Sequence, residues 1–204
     1  MSYTNNFRKG FYPADVQRTE YRLYPIASGN GTAVYVGDVV SAITGGSVAP
    51  SAAGDGANAL FLGTVVELFD NQTSVGGQNA PVPVGMWAST VSTKYLPAST
   101  AGWAMIALAK PGVRFICQTG TVMTTAAINK STNLVAGAGS TTTSVSGHTI
   151  NGNDLNTGYD FLVIAPWNQL GSTPMNDITG AGALWVVEFN KGLNFGGGRP
   201  TTGV

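Results

Sequence analysis

Among 204 residues there is one histidine, His148, and one cysteine, Cys117, so the side chains able to do nucleophilic or metal chemistry are few. A Ser-His-Asp hydrolase would need His148 as its base. The setting Ser146-Gly147-His148-Thr149-Ile150 reads instead as a polar turn entering a strand, with His148 exposed, and no nucleophile-elbow motif occurs in the chain. One His and one Cys do not supply the three or four nitrogen and sulfur ligands of a transition-metal site. Cys117 ends the apolar run Val113-Arg114-Phe115-Ile116-Cys117, which reads as a buried small hydrophobe on a strand, and alone it makes no internal disulfide.

Oxygen chemistry is better supplied. Asp154, Asn156 and Asp160 alternate around Gly158, a spacing suited to a hard cation such as calcium, but no glutamate closes the loop and the same residues make ordinary turns. Gly29-Asn30-Gly31 and Gly137-Ala138-Gly139 lack the remaining glycine of a dinucleotide motif and any phosphate-binding lysine. Glu67 and Glu188 are the strand-borne carboxylates best placed for glycoside cleavage, yet alternation sets them opposite Val66 and Val187, on the solvent side. Trp87, Trp103, Trp167 and Trp185 suit stacking on sugars or core packing equally well. No catalytic, metal or cofactor-binding residue is assigned, and the expectation is a protein that is not an enzyme and holds no cofactor.

The elements that would position any site are β-strands. Short apolar runs are cut by glycine: Val34-Tyr35-Val36, a turn or bulge at Gly37-Asp38, Val39-Val40-Ser41-Ala42-Ile43, then a loop over 44–59 and a strand over 61–69. A second loop spans 70–81. The strands 101–109 and 113–117 flank Lys110-Pro111-Gly112, whose Pro-Gly fits a type II turn, and are expected to form a hairpin. Residues 161–165 and 184–189 are the terminal strands, and 124–129 offers one helical turn; no longer stretch sustains helical spacing. The fold class is mainly β: a small β-barrel or sandwich with long Gly/Ser/Thr loops and an extended N-terminal arm.

Charged residues make up 10% of the chain and hydrophobic ones 43%, with formal net charge zero, which favours an ordered, weakly charged globule. Scattered Lys and Arg argue against a nucleic-acid partner. No stretch approaches the ~20 apolar residues of a membrane helix, and the opening residues lack the apolar core of a signal peptide, so synthesis and assembly in the cytoplasm are expected. Three segments emerge: an arm over 1–25, a body over 26–195 with a possible subdivision near 120–130, and a flexible tail over 196–204. The arm is dense in aromatic rings (Tyr3, Phe7, Phe11, Tyr12, Tyr21, Tyr24), interrupted by Gly10, Pro13 and Pro25, and joins a strand near Tyr21. Its rings either pack on their own body or clamp a neighbouring subunit; Tyr3, Phe7, Arg8, Phe11, Tyr12 and Arg18 are the candidate partner-binding residues.

Two stretches bring the chain close to a known class. Tyr24 to Ile43, with Gly37-Asp38-Val39-Val40 followed by Gly63-Thr64-Val65-Val66, opens a small barrel. From Pro111-Gly112 to Asn190 run Phe115-Ile116-Cys117-Gln118, the small polar residues 137–144, Phe161-Leu162-Val163-Ile164 and Trp185-Val186-Val187-Glu188-Phe189-Asn190. In pattern and composition these resemble the capsid cement, or head decoration, proteins of tailed phages. That resemblance implies a non-enzymatic virion protein on the capsid exterior that stabilises the shell, with the major capsid protein and neighbouring copies as partners, commonly as a homotrimer. A tail- or portal-associated virion protein and a carbohydrate-binding β module are the alternatives.

Overall fold

The computed structural model describes residues 9–52, 61–70, 92–93, 95–156, 160–167, 176–178 and 180–190. The chain is mainly β, with two antiparallel sheets in a sandwich-like arrangement that does not close into a barrel. The first sheet has the order β1 (Phe11–Pro13), β10 (Arg114–Gln118), β14 (Leu184–Phe189), β13 (Phe161–Pro166), β11 (Ser131–Val135), β12 (Thr149–Asn156). The second runs β2 (Tyr21–Ile26), β9 (Gly102–Leu108), β6 (Phe61–Asp70), β4 (Val39–Ala42), β5 (Val48–Pro50), with β7 (Ser92–Thr93) also on β6. A short ribbon pairs β3 (Val34–Tyr35) with β8 (Tyr95–Leu96).

Period-two alternation explains why the second sheet is buried on both faces. Phe61, Val39 and Ala107 point to the layer shared with the first sheet, while their neighbours Leu62, Val40 and Ile106 point into a second core on the other face. The shared layer is a phenylalanine cluster. Phe161 stacks on Phe11 at 4.9 Å and on Phe61 at 5.7 Å between ring centroids, and meets Phe189 edge-on at 4.8 Å. Each ring buries about 1.5–3 kcal/mol of apolar surface energy, and each pair adds about 0.5–1.5 kcal/mol.

Chain order maps onto the layers at Lys110-Pro111-Gly112. Among the described strands, β2 to β9 build the second sheet and the ribbon, whereas β10 to β14 build the first. The turn itself is as the Pro-Gly pair predicts, with Gly112 at φ 79° and the Val113 N–H donating to the Lys110 carbonyl at 3.1 Å. The expected hairpin is corrected: β9 pairs with β2 and β6, β10 pairs with β1 and β14, and the turn is a corner between layers. The 44–59 segment, read as a loop, contains strand β5. The helical turn expected over 124–129 is present as Thr125–Ala127, of the 3-10 kind, and Val16–Arg18 forms another.

From Phe11 onward, the segment expected as an extended arm is built into the body. β1 pairs with β10 in the far sheet (Phe11 opposite Cys117, Tyr12 opposite Ile116) and β2 lies along β9 in the near one. Among the described strands, β1 is the one element from the N-terminal half that joins the C-terminal sheet.

Candidate functional site

Among the described residues, a cluster of potentially reactive side chains forms where β1 crosses between the halves. Gly10 and Gly37 meet there backbone to backbone. Both have positive φ, 105° and 95°, and a Cβ on Gly10 would lie 3.0 Å from the Gly37 Cα, so only glycine fits this approach. The contact lets the Phe11 N–H donate to the Gly37 carbonyl at 2.8 Å and the Gly10 N–H to the His148 carbonyl at 2.9 Å.

Beneath this crossing lie Asp38, Ser146 and His148, each at most 4% exposed. Asp38 Oδ2 accepts the Tyr35 N–H at 2.8 Å, which closes the β3–β4 turn, and Oδ1 accepts the Ser146 hydroxyl at 2.6 Å. Ser146 Oγ in turn accepts the His148 N–H at 3.0 Å. The Val39 N–H donates to His148 Nδ1 at 3.0 Å. That bond needs the Nδ1 lone pair, so the ring is neutral with its proton on Nε2, which faces Asp38 Oδ1 at 3.8 Å. Burial drives both groups toward neutrality. It lowers the His148 pKa to about 4 and raises that of Asp38 to about 7, the latter opposed by the Ser146 and Tyr35 hydrogen bonds.

The three residue types of a hydrolytic triad are thus present but wired differently. In a triad the serine donates to the imidazole and the imidazole to the carboxylate. Here the serine donates to the carboxylate, and the ring accepts from a backbone amide. With Ser146 1% exposed, its Oγ does not face solvent. The geometry serves to join three segments: the N-terminal crossing, the β3–β4 turn and the loop entering β12. The reading of His148 as an exposed turn residue is corrected, because Gly137, Gly139 and Gly147 let this loop press against its surroundings. A Cβ on Gly139 would collide with the Tyr35 ring, and one on Gly147 with the Ala138 carbonyl. Tyr35 then stacks on Tyr95 at 5.5 Å.

The remaining candidates are dispersed. Cys117 is wholly buried opposite Phe11 and Trp185, and burial pushes its thiol well above the ordinary range. Glu188 faces away from the shared core, as alternation requires, but is 7% exposed rather than solvent-facing, because Arg114, directly opposite it on β10, lies over it with Nε 3.3 Å from Oε1. Glu67 sits on the other sheet, opposite Met105. Asp160 is buried and accepts the Leu134 N–H at 2.9 Å, pinning β11 beside its bulge, while Asp154 accepts from Asn133 Nδ2 at 3.1 Å. Among the described residues no three His, Cys, Asp or Glu side chains gather as a metal site. Gly158 and Trp87 lie outside the described residues. Trp185 belongs to the core; Trp103 and Trp167 are half-buried.

Of the partner-binding candidates, Tyr3, Phe7 and Arg8 lie outside the described residues. Phe11 is wholly buried in its own core, which accounts for that ring without a neighbour. Tyr12 points to the opposite face of β1 with its hydroxyl donating to the Lys9 carbonyl at 2.9 Å, and Arg18 is exposed beside Asp15 at 3.3 Å. Sequence reasoning missed Asn176 altogether. Its amide donates to the Trp167 and Leu184 carbonyls and accepts the Leu184 N–H, stapling β13 to β14 at one end. A lone asparagine in a polar loop gives no signal of this role.

Comparison with known proteins finds no matching family model, no similar curated protein and no similar solved structure.

Proposed function

We propose that the chain is a virion structural protein that binds the exterior of a phage capsid and stabilises the shell, in contact with the major capsid protein and with copies of itself, as a trimer. The observation that carries this reading is the way the body consumes its own reactive groups. His148, Cys117, Asp38, Asp160 and Glu188 are buried and tied into the fold, and exposed charges pair locally, as Arg18 does with Asp15 and Arg22 and Lys110 do with Glu20. Among the described residues, what faces outward is largely neutral polar loop on the sandwich. Such a surface suits a lattice component, where many modest contacts combine through avidity.

Residues 1–8, with Tyr3, Phe7 and Arg8, lead directly into β1 at the edge of the first sheet. In this proposal they are the part that engages the shell or an adjacent copy. The test is the abundance of the protein relative to the major capsid protein in purified particles, by quantitative mass spectrometry. A ratio near unity or a simple fraction of it is expected. A trace ratio would reassign the protein to the tail or portal, and absence from particles would overturn a virion role.

A further inference from the structure

The chain contains the dipeptide Asn-Gly twice, at Asn30-Gly31 and Asn151-Gly152, and the fold treats the two copies in opposite ways. Asn-Gly is the sequence most open to intramolecular cyclisation, since glycine offers the least steric resistance to bringing its nitrogen onto the preceding side chain. We propose that Asn30 is a site of self-modification, converting through a succinimide to aspartate and isoaspartate in the folded protein, while Asn151 is protected.

Asn30 lies in the turn between β2 and β3, flanked by exposed Gly29, Gly31 and Thr32. Nothing lies within 4 Å of where a Gly31 Cβ would be, so no neighbour crowds the glycine side of the peptide, which is tethered through the Asn30 carbonyl. Asn30 Oδ1 is held only by the Thr32 N–H at 3.4 Å, at the outer limit of a hydrogen bond. The Nδ2 is shielded from water without a hydrogen-bond partner, so the group that departs is the one that the fold does not hold. At Asn151 the nucleophile is restrained. The Gly152 N–H donates to Thr121 Oγ1 at 2.9 Å, Gly152 is buried with the Val122 carbonyl 2.8 Å from its would-be Cβ, and Asn151 Oδ1 accepts the Asn153 N–H at 3.0 Å.

The step balances without any external oxidant or reductant. The Gly31 nitrogen loses its proton to solvent base and attacks Asn30 Cγ; the new C–N bond closes a five-membered imide as the Cγ–Nδ2 bond breaks and ammonia leaves with a proton. Water then opens either imide carbonyl, giving aspartate or the β-linked isomer. Each conversion adds one negative charge to a chain of formal charge zero. The β-linked form also lengthens the backbone between the Asn30 N–H, which donates to the Ala27 carbonyl at 3.0 Å, and the Asn30 carbonyl, which accepts the Ser99 N–H at 2.7 Å. The modification therefore bears on the contact between two loops at that end of the second sheet.

The test is incubation of the intact protein at neutral and mildly alkaline pH, followed by peptide mapping for the amide-to-acid mass change and for isoaspartate. Expected is conversion at Asn30, faster at the higher pH, with Asn151 unchanged, and comparable rates at both sites once the protein is unfolded in urea. The Gly31→Ala variant has space for its methyl group and should slow conversion by on the order of tenfold. Equal rates in the folded protein, no conversion at Asn30, or a difference that persists in urea would each overturn the proposal.

Discussion

Replacing His148 by asparagine changes the pH dependence of folding in a way that the buried junction dictates. An asparagine carbonyl can take over the Val39 N–H that Nδ1 accepts, so the variant keeps the backbone bond and loses the titratable ring. In the unfolded chain the histidine titrates near 6.5; in the fold its pKa falls to about 4. Between those values the unfolded state holds the extra proton, and stability from this group is lost as pH falls from 6.5 toward 4. At ~1.4 kcal/mol per pH unit the loss is roughly 3 kcal/mol. Asp38 runs the other way. Its pKa rises from 3.8 to about 7, so the fold holds the proton and stability is lost as pH climbs through that range, by roughly 4 kcal/mol.

The two slopes oppose each other. From about pH 4 to 6.5 the unfolded chain carries one proton on His148 and the folded chain carries one on Asp38, so folding takes up none through this pair. Relative to the wild type, the His148→Asn variant should therefore lose stability steadily as pH rises across that window, and Asp38→Asn should gain it. Urea midpoints measured at closely spaced pH values read both as differences, which cancels the other carboxylates. Parallel curves for wild type and His148→Asn from pH 4 to 6.5 would refute a neutral, buried His148.

Three further outcomes follow from the packing. Phe161→Ala should destabilise by about 3–5 kcal/mol in urea unfolding, because the ring is wholly buried and contacts Phe11, Phe61 and Phe189 together; a loss below ~1 kcal/mol would mean the cluster does not hold the layers. Cys117 should react with thiol reagents only at the rate of unfolding, and labelling of the native protein at the rate of a free thiol would contradict its burial. Removing residues 1–8, which keeps β1 and its pairing with β10, should give a protein that still folds but no longer attaches to capsids. Full occupancy by the truncated protein would defeat the proposed role of that segment.

How far the sequence foretells this structure differs with the range of the interactions. The Pro111-Gly112 turn is legible because it is set by two residues and one hydrogen bond. The partners of the strands on either side are not, since pairing β10 with β1 depends on residues a hundred positions away. Strand content follows from runs such as Leu184–Phe189, but the alternation that places Glu188 opposite Val187 says nothing of Arg114 covering it. His148 is the sharpest case. Its polar, glycine-flanked neighbourhood looks like surface, yet those glycines are what allow the loop to approach the β3–β4 turn closely enough to bury the ring.

The edges of the two sheets constrain how copies associate. β1 ends in Pro13, β2 contains Pro25 and β5 ends in Pro50, while β12 opposes β11 with a register break between Thr132 and Leu134. Proline and bulges at edges disfavour pairing with a foreign strand. In the proposed lattice role, association is then left to loops, sheet faces and residues 1–8. A partner holding residues 1–8 would pull on β1, and that load enters both halves at once: the Phe11 N–H is bonded to Gly37 in the first half, the Gly10 N–H to His148 in the second, and the Phe11 ring lies between the layers. Tension applied there shears several bonds together rather than peeling one sheet from the other, as the proposed shell-stabilising role would require.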